Sequence, residues 1–233
     1  MDSANRLRAA AADVAGLRAL TEHPARRAEL RAWQAARLER THADLLASPR
    51  YQAATRFFLD ELYGSKDFSQ RDAELARVIP ALVKFLPNSA LVAIADAVEL
   101  DALSERLDLS MVRALQADAQ LGDRPIDAPA YARAYRIAGS APDRQRQIEL
   151  VEHVGHTLDG LVRHPMIGAL LRTMARPAHL AGLGAMQDFL SAGFAVFREM
   201  RGAEAFLQIL VERETQLMRR LYAGEPEPFT PPL

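Results

Sequence analysis

Cysteine is missing from all 233 residues of this chain. That absence excludes disulfides, thiolate metal ligands and cysteine nucleophiles, and it fits a reducing compartment. An excess of one charge is missing too: 29 lysines and arginines against 30 aspartates and glutamates leave a net charge of −1. No global field then favours nucleic acid or an anionic membrane. Basic clusters at Arg26, Arg27 and Arg31, and at Arg219 and Arg220, have acids interleaved with them. No run reaches the ~18–20 apolar residues that would span a bilayer. The N-terminal alanine run is broken by Asp13 and Arg18, which is unlike a signal peptide. Also absent are a Gly-rich phosphate loop, a G-x-S-x-G elbow and an H-E-x-x-H pair. These absences predict a cytoplasmic protein with no membrane span and no nucleic-acid partner.

What is present is helical spacing. Apolar residues recur every three or four positions along the chain, and no stretch alternates convincingly as a strand would. With 49% hydrophobic and 25% charged residues, the chain predicts an all-α fold, a single compact bundle of about ten helices. The expected helices are 3–21, 24–47, 49–63, 70–86, 89–107, 109–118, 128–139, 142–163, 166–175 and 178–222, the last broken near Gly202. Pro24 and Pro165 suit first turns, Ser69, Asn88 and Asp127 suit N-caps, and Gly64 suits a helix stop before a loop through Phe68. Pro80 predicts a kink. One helical domain is expected over residues 1–224, with a subdivision near 120–129 as the alternative, followed by a flexible proline-rich tail at 225–233. Leu91, Ile94, Ala95 and Val98 form one apolar stripe, and Leu100, Leu103, Leu107 and Met111 form another rotated away from it. That helix either kinks near Glu99 or lies amid the fold with neighbours on both sides.

A few polar residues sit where helical spacing does not explain them. In RFFLDELYGSKDF, residues 56–68, Asp60 and Glu61 lie opposite the face of Phe58, Leu59, Leu62 and Tyr63, with Phe57 between them. They are either a solvated face or, if this helix is central, the wall of a polar cavity with Arg56 nearby. His42 flanks a stripe of Leu38, Thr41 and Leu45, and reads as a boundary histidine or a ligand; haem ligation by His42 or another histidine is a third reading. Glu149, Glu152, His153, His156 and Asp159 have the adjacent-turn spacing of a helix-borne metal site. They lie opposite the stripe of Leu150, Val151, Val154, Leu158 and Leu161, so they read as a solvated face with Glu152 and His156 paired, and no metal is expected. Glu214 is the most informative. It falls within the arc of Phe206, Leu207, Leu210, Leu217, Met218 and Leu221. An acid there is wet at an exposed helix end, paired with a cation from another helix, or part of a ligand site.

The stretches AWQAARLERTHADLL at 32–46 and RYQAATRFFLDELYGSKDFSQRDAELARV at 50–78 resemble a family of uncharacterised bacterial all-helical proteins with an FFLxDLYG-like signature. Glu61 stands where the signature has Asp, and Ser65 where proline is commoner. The resemblance implies a bacterial, helical, cytoplasmic protein and carries no catalytic residue or cofactor with it. The expected function is that of a non-enzymatic binding or regulatory protein acting through a partner protein, self-association as a homodimer, or a small hydrophobic ligand. The alternative is an enzyme or cofactor-binding protein with an internal polar site drawn from Glu214, Asp60, Glu61, His42, Arg56 and Tyr63.

Overall fold

The computed structural model describes residues 2–20, 22–62, 69–85, 88–122 and 124–230, and among them it contains eleven helices and no strand. The fold is all-α. In order, the helices are α1 (Ser3–Ala19), α2 (Pro24–Thr41), α3 (Ala43–Ala47), α4 (Gln52–Leu62), α5 (Ser69–Phe85), α6 (Asn88–Ala117), α7 (Ala128–Ala138), α8 (Ala141–Val162), α9 (Pro165–Leu180), α10 (Gly184–Met200) and α11 (Glu204–Ala223). None is long and apolar enough to cross a membrane. The loop expected at Gly64–Phe68 lies outside the described residues.

The organising element is α6. The expected break at residue 108 does not occur, and one helix of 30 residues runs without a proline or glycine to interrupt it. Its two apolar stripes each find a neighbour, which is why it need not kink. Leu91, Ala95, Val98 and Ala102 pack with Leu7, Ala10 and Val14 of α1. Leu100, Leu103 and Leu107 meet Leu150 of α8, and Met111, Val112 and Leu115 enter a third cluster with Tyr131, Tyr135, Leu217 and Leu221. A helix surrounded this way carries its polar residues inside the protein.

Several boundaries differ from expectation, among them the start of α10 at Gly184 rather than 178, and two have local reasons. The helix expected over 24–47 stops at Thr41, because His42 leaves the helical region at φ −116°, ψ 26° before α3 begins. The helix expected to end at 175 continues through Pro177 to Leu180. It ends where Gly182 turns left-handed at φ +68°, with Leu183 N–H donating to the Ala178 carbonyl and Gly182 N–H to that of His179. That pair of bonds is a Schellman stop, which glycine makes without a Cβ clash. Asp127 and Ser140 cap α7 and α8 through Ala130 N–H and Asp143 N–H. The proline-rich segment turns back over the body: Phe229 sits edge-on to Trp33 at 5.3 Å, and Trp33 stacks on Tyr131 at 3.9 Å.

A charged cavity between α2, α6, α7, α8 and α11

The ends of α11 and α2 are held before either presents a functional side chain. At the start of α11, Ala203 N–H donates to Asp159 Oδ1 at 3.0 Å, and Arg50 donates to the carbonyls of Met200 and Gly202. At its midpoint, Arg213 makes a two-pronged bond to Asp44 at 2.7 and 2.8 Å and a third bond to the Thr41 carbonyl at 3.0 Å. That clamp holds Asp44 at about 2 and locks α11 to the α2–α3 junction. The next residue, Glu214, is thereby placed beside His42.

Glu214 is paired as an interior acid must be. Arg37 Nη1 donates to both its oxygens at 2.5 and 2.7 Å, and His42 Nε2 lies 3.3 Å from Oε1. His42 is fully buried, and with an ionised carboxylate facing it, Nε2 is the donor. Burial opposes ionisation of Glu214, but the Arg37 guanidinium and the His42 hydrogen bond outweigh it and hold the carboxyl at about 2. The side chain nonetheless keeps 24% of its surface accessible, because it borders an internal cavity of about 90 Å³.

The other walls of this cavity are charged as well. From α6 come Asp101, Glu105 and Asp108, one turn apart on one face. Glu105 collects three guanidiniums: Arg31 at 2.6 Å, Arg27 at 2.9 Å and Arg18 at 3.1 Å. Burial works against its ionisation, and Arg31, Arg18 and Arg27 together still bring it below the usual carboxylate range. Arg18 also reaches Asp101 at 2.7 Å. Asp108 is the exception. Its hydrogen-bond partner is neutral, Gln34 Nε2 at 3.0 Å, and burial pushes its carboxyl above the usual range although Arg144 and Arg31 pull the other way.

Arg144, from the first turn of α8, is the matching anomaly. It is only 5% exposed. Its Nη1 makes one long bond to Gln147 Oε1 at 3.3 Å, its guanidinium lies 4.4 Å over the Tyr135 ring, and buried Nε and Nη2 have no hydrogen-bond partner. Among the described residues no carboxylate lies within ion-pair distance of it. Apolar side chains complete the walls, including Phe58, Leu38, Ile148, Val151 and Leu210, with Ser104, Gln147, Tyr131 and Tyr135 among them.

The family model for a domain of unknown function, DUF8198, matches residues 14–228. The chain belongs to that family. Every residue lining the cavity, from Arg18 to Leu221, falls inside the matched span. A search of curated proteins found no match, and a search of solved structures found none.

The residues singled out from the sequence of this family member divide sharply. Glu214 and His42 come together, with Arg37 as the cation that the position of Glu214 required. His42 meets Glu214 through Nε2, and its other ring nitrogen, Nδ1, is buried with no hydrogen-bond partner among the described residues. Asp60 and Arg56 are exposed on α4 and do not join the cavity; the side chain of Glu61 and all of Tyr63 lie outside the described residues. Phe57 is covered by α10, stacking on Phe189 at 5.6 Å, while its neighbour Phe58 lines the cavity. The histidines of α8 border a shallow groove. His153 meets Asp96 at 3.2 Å, and His156 meets Glu204 at 3.6 Å rather than Glu152. Among the described residues no three His, Asp or Glu converge to hold a metal ion. Arg37, Arg144, Glu105 and Asp108 escaped the sequence reading. Their signal was there: Asp101, Glu105 and Asp108 follow i, i+4, i+7 spacing, and Arg144 stands seven residues before Val151 on the buried side of α8.

Proposed function

We propose that this protein binds a small molecule in the cavity between α2, α6, α7, α8 and α11, and acts as a binding or regulatory protein. The observation that carries the reading is the cavity itself, an interior space walled by charged groups that a packed scaffold would replace with apolar ones. Buried ion pairs are seldom more stabilising than well-packed hydrophobic residues of similar volume, so four guanidiniums around one cavity need a reason other than stability. Its volume of about 90 Å³ accommodates roughly six to nine water-sized groups, the scale of a small metabolite. The mixture of aliphatic, aromatic and charged lining is that of a ligand site.

The state of the cavity acids supports binding over catalysis. Glu214 and Glu105 are held ionised by arginines, so neither is poised to exchange a proton near neutral pH. Ser104 donates to the Leu100 carbonyl and accepts from Gln147, and no base addresses it as a nucleophile. The alternative, an enzyme, would have to make Asp108 its general acid. Native mass spectrometry of protein purified from its own host tests the reading. A retained mass that Val151→Phe or Ile148→Phe eliminates supports it. No mass retained beyond that of the polypeptide in any of the three proteins, with no small molecule stabilising the parent in a thermal-shift panel, would refute it.

A further inference from the structure

Resting on the cavity as the binding site, we infer that its ligand is a small organic anion, a monocarboxylate with an apolar body, whose charge is met by Arg144. The inventory of charge is the argument. Five guanidiniums belong to the cavity and its wall: Arg18, Arg31, Arg37 and Arg144 line it, and Arg27 reaches Glu105 from behind. Four carboxyls face them, Asp101, Glu105, Asp108 and Glu214. Glu214 is taken by Arg37, while Asp101 and Glu105 are taken by Arg18, Arg27 and Arg31. Among the described residues Arg144 is left without a counter-charge in contact, and Asp108, the remaining acid of the lining, hydrogen-bonds Gln34 instead. The cavity therefore lacks at least one negative charge. A cationic ligand would add to the excess; a neutral one would leave it.

Geometry places that missing charge at Arg144. The side-on edge of a guanidinium, Nε with Nη2, is what grips a carboxylate elsewhere in this protein. Arg113 holds Glu22 that way at 3.0 and 2.9 Å, and Arg133 holds Asp118 at 3.0 and 2.7 Å. In Arg144 both nitrogens of that same edge are buried and unbonded. A turn of the guanidinium into the cavity it already lines gives up only the 3.3 Å bond to Gln147 and the contact with the Tyr135 ring. Ile148 and Val151, one and two turns further along α8, then offer the apolar body a wall on the same side, with Leu210 and Phe58 opposite. An isolated buried cation is costly, and an anion that neutralises it gains both charge and hydrogen bonds.

Isothermal titration of the full chain with benzoate, hexanoate, benzyl alcohol and benzylamine tests this. Saturable binding of at least one carboxylate, with neither the alcohol nor the amine binding as tightly, is the expected result. Arg144→Met should weaken carboxylate binding roughly ten- to hundredfold, the worth of a charge-assisted bond, while leaving the melting temperature unchanged or raised. Arg144→Lys should retain part of the affinity. Unaltered carboxylate binding by Arg144→Met would overturn the inference. Tight binding of benzyl alcohol or benzylamine that Val151→Phe abolishes, with no carboxylate bound, would overturn the anion assignment and leave the cavity reading standing. Failure of every probe together with no effect of Val151→Phe on retained mass would remove both.

Discussion

Replacing Glu214 with alanine removes one member of a buried trio and leaves the other two, Arg37 and His42, in place. Arg37 is 8% exposed and His42 fully buried, so neither regains water when the carboxylate is lost. Stranding a buried cation in this way costs about 3–5 kcal/mol. The lowered pKa of Glu214 is of the same size: from an ordinary 4.5 to about 2 is a preference for the ionised form on the order of 3 kcal/mol. For a chain of this length, 3 kcal/mol is roughly 6–12 °C in melting temperature. Because the folded value lies below the unfolded one, this stabilisation is present above pH 4.5 and is lost as pH falls toward about 2. Glu214→Gln, which keeps the shape, should therefore be less stable than the parent at pH 7, and the two should converge near pH 2. Chemical denaturation at pH 7, 4.5 and 3 reads the difference directly. Equal stability of Glu214→Ala and the parent at pH 7 would refute the pairing, and a gap that persists unchanged at the lowest pH would show that shape, not charge, is what alanine removes.

Glycines on α8 give an internally controlled pair. A Cβ on Gly155 would lie 2.3 Å from Leu207 Cδ2 in the core, so Gly155→Ala should cost about 1–3 kcal/mol, whereas Gly160→Ala meets nothing within 4 Å and should gain about 0.5–1 kcal/mol from helix propensity; urea titrations of both show whether the signs differ. Replacing Arg37 and Glu214 together by methionine and leucine should restore most of the stability lost in either single variant, and a double variant no better than the worse single one would contradict their coupling. Phe229→Ala should lower stability by about 1–2 kcal/mol and increase the exposure of Trp33 to an acrylamide quencher, since that ring rests edge-on against it; unchanged quenching would mean the segment does not cover Trp33 in solution.

Periodicity carried the fold because α-helices announce themselves locally, and the positions of Pro24, Asp127 and Pro165 are statements about one helix end each. The same reasoning found Glu214, whose oddity lies within its own helix: an acid inside an apolar arc. It did not find Arg144 or Asp108, and the reason is physical. Both occupy helices whose polar and apolar sides are not separable by one period, since α6 is surrounded and α8 faces α6 and α11 together. On such a helix an inward charge looks like an outward one until the neighbours are known. Asp60 shows the converse: of the two readings, solvated face or cavity wall, its exposure on α4 fits the solvated one. Boundaries at His42 and Leu180 were missed because each depends on contacts across helices or on a stop three residues past a proline that does not end its helix.

Asp108 decides between two accounts of the cavity. Its carboxyl is raised above the usual range by burial, with Gln34 as hydrogen-bond donor and Arg144, Arg31 and Glu105 as the charges that face it. A folded-state value above the unfolded one means that ionisation near neutral pH costs stability, and that the cost disappears once pH falls below the ordinary carboxylate value of 3.8. Asp108→Asn, which keeps the bond with Gln34 available and cannot ionise, should therefore be more stable than the parent at pH 7 and indistinguishable from it at pH 3. It should also bind benzoate at least as tightly at pH 7, because an ionised Asp108 competes for the same guanidinium. The opposite outcome is equally informative. If Asp108→Asn is less stable at pH 7, Asp108 is a working counter-ion for Arg144 across the cavity. Arg144 then has its counter-charge, and the argument that places an anionic ligand on it falls.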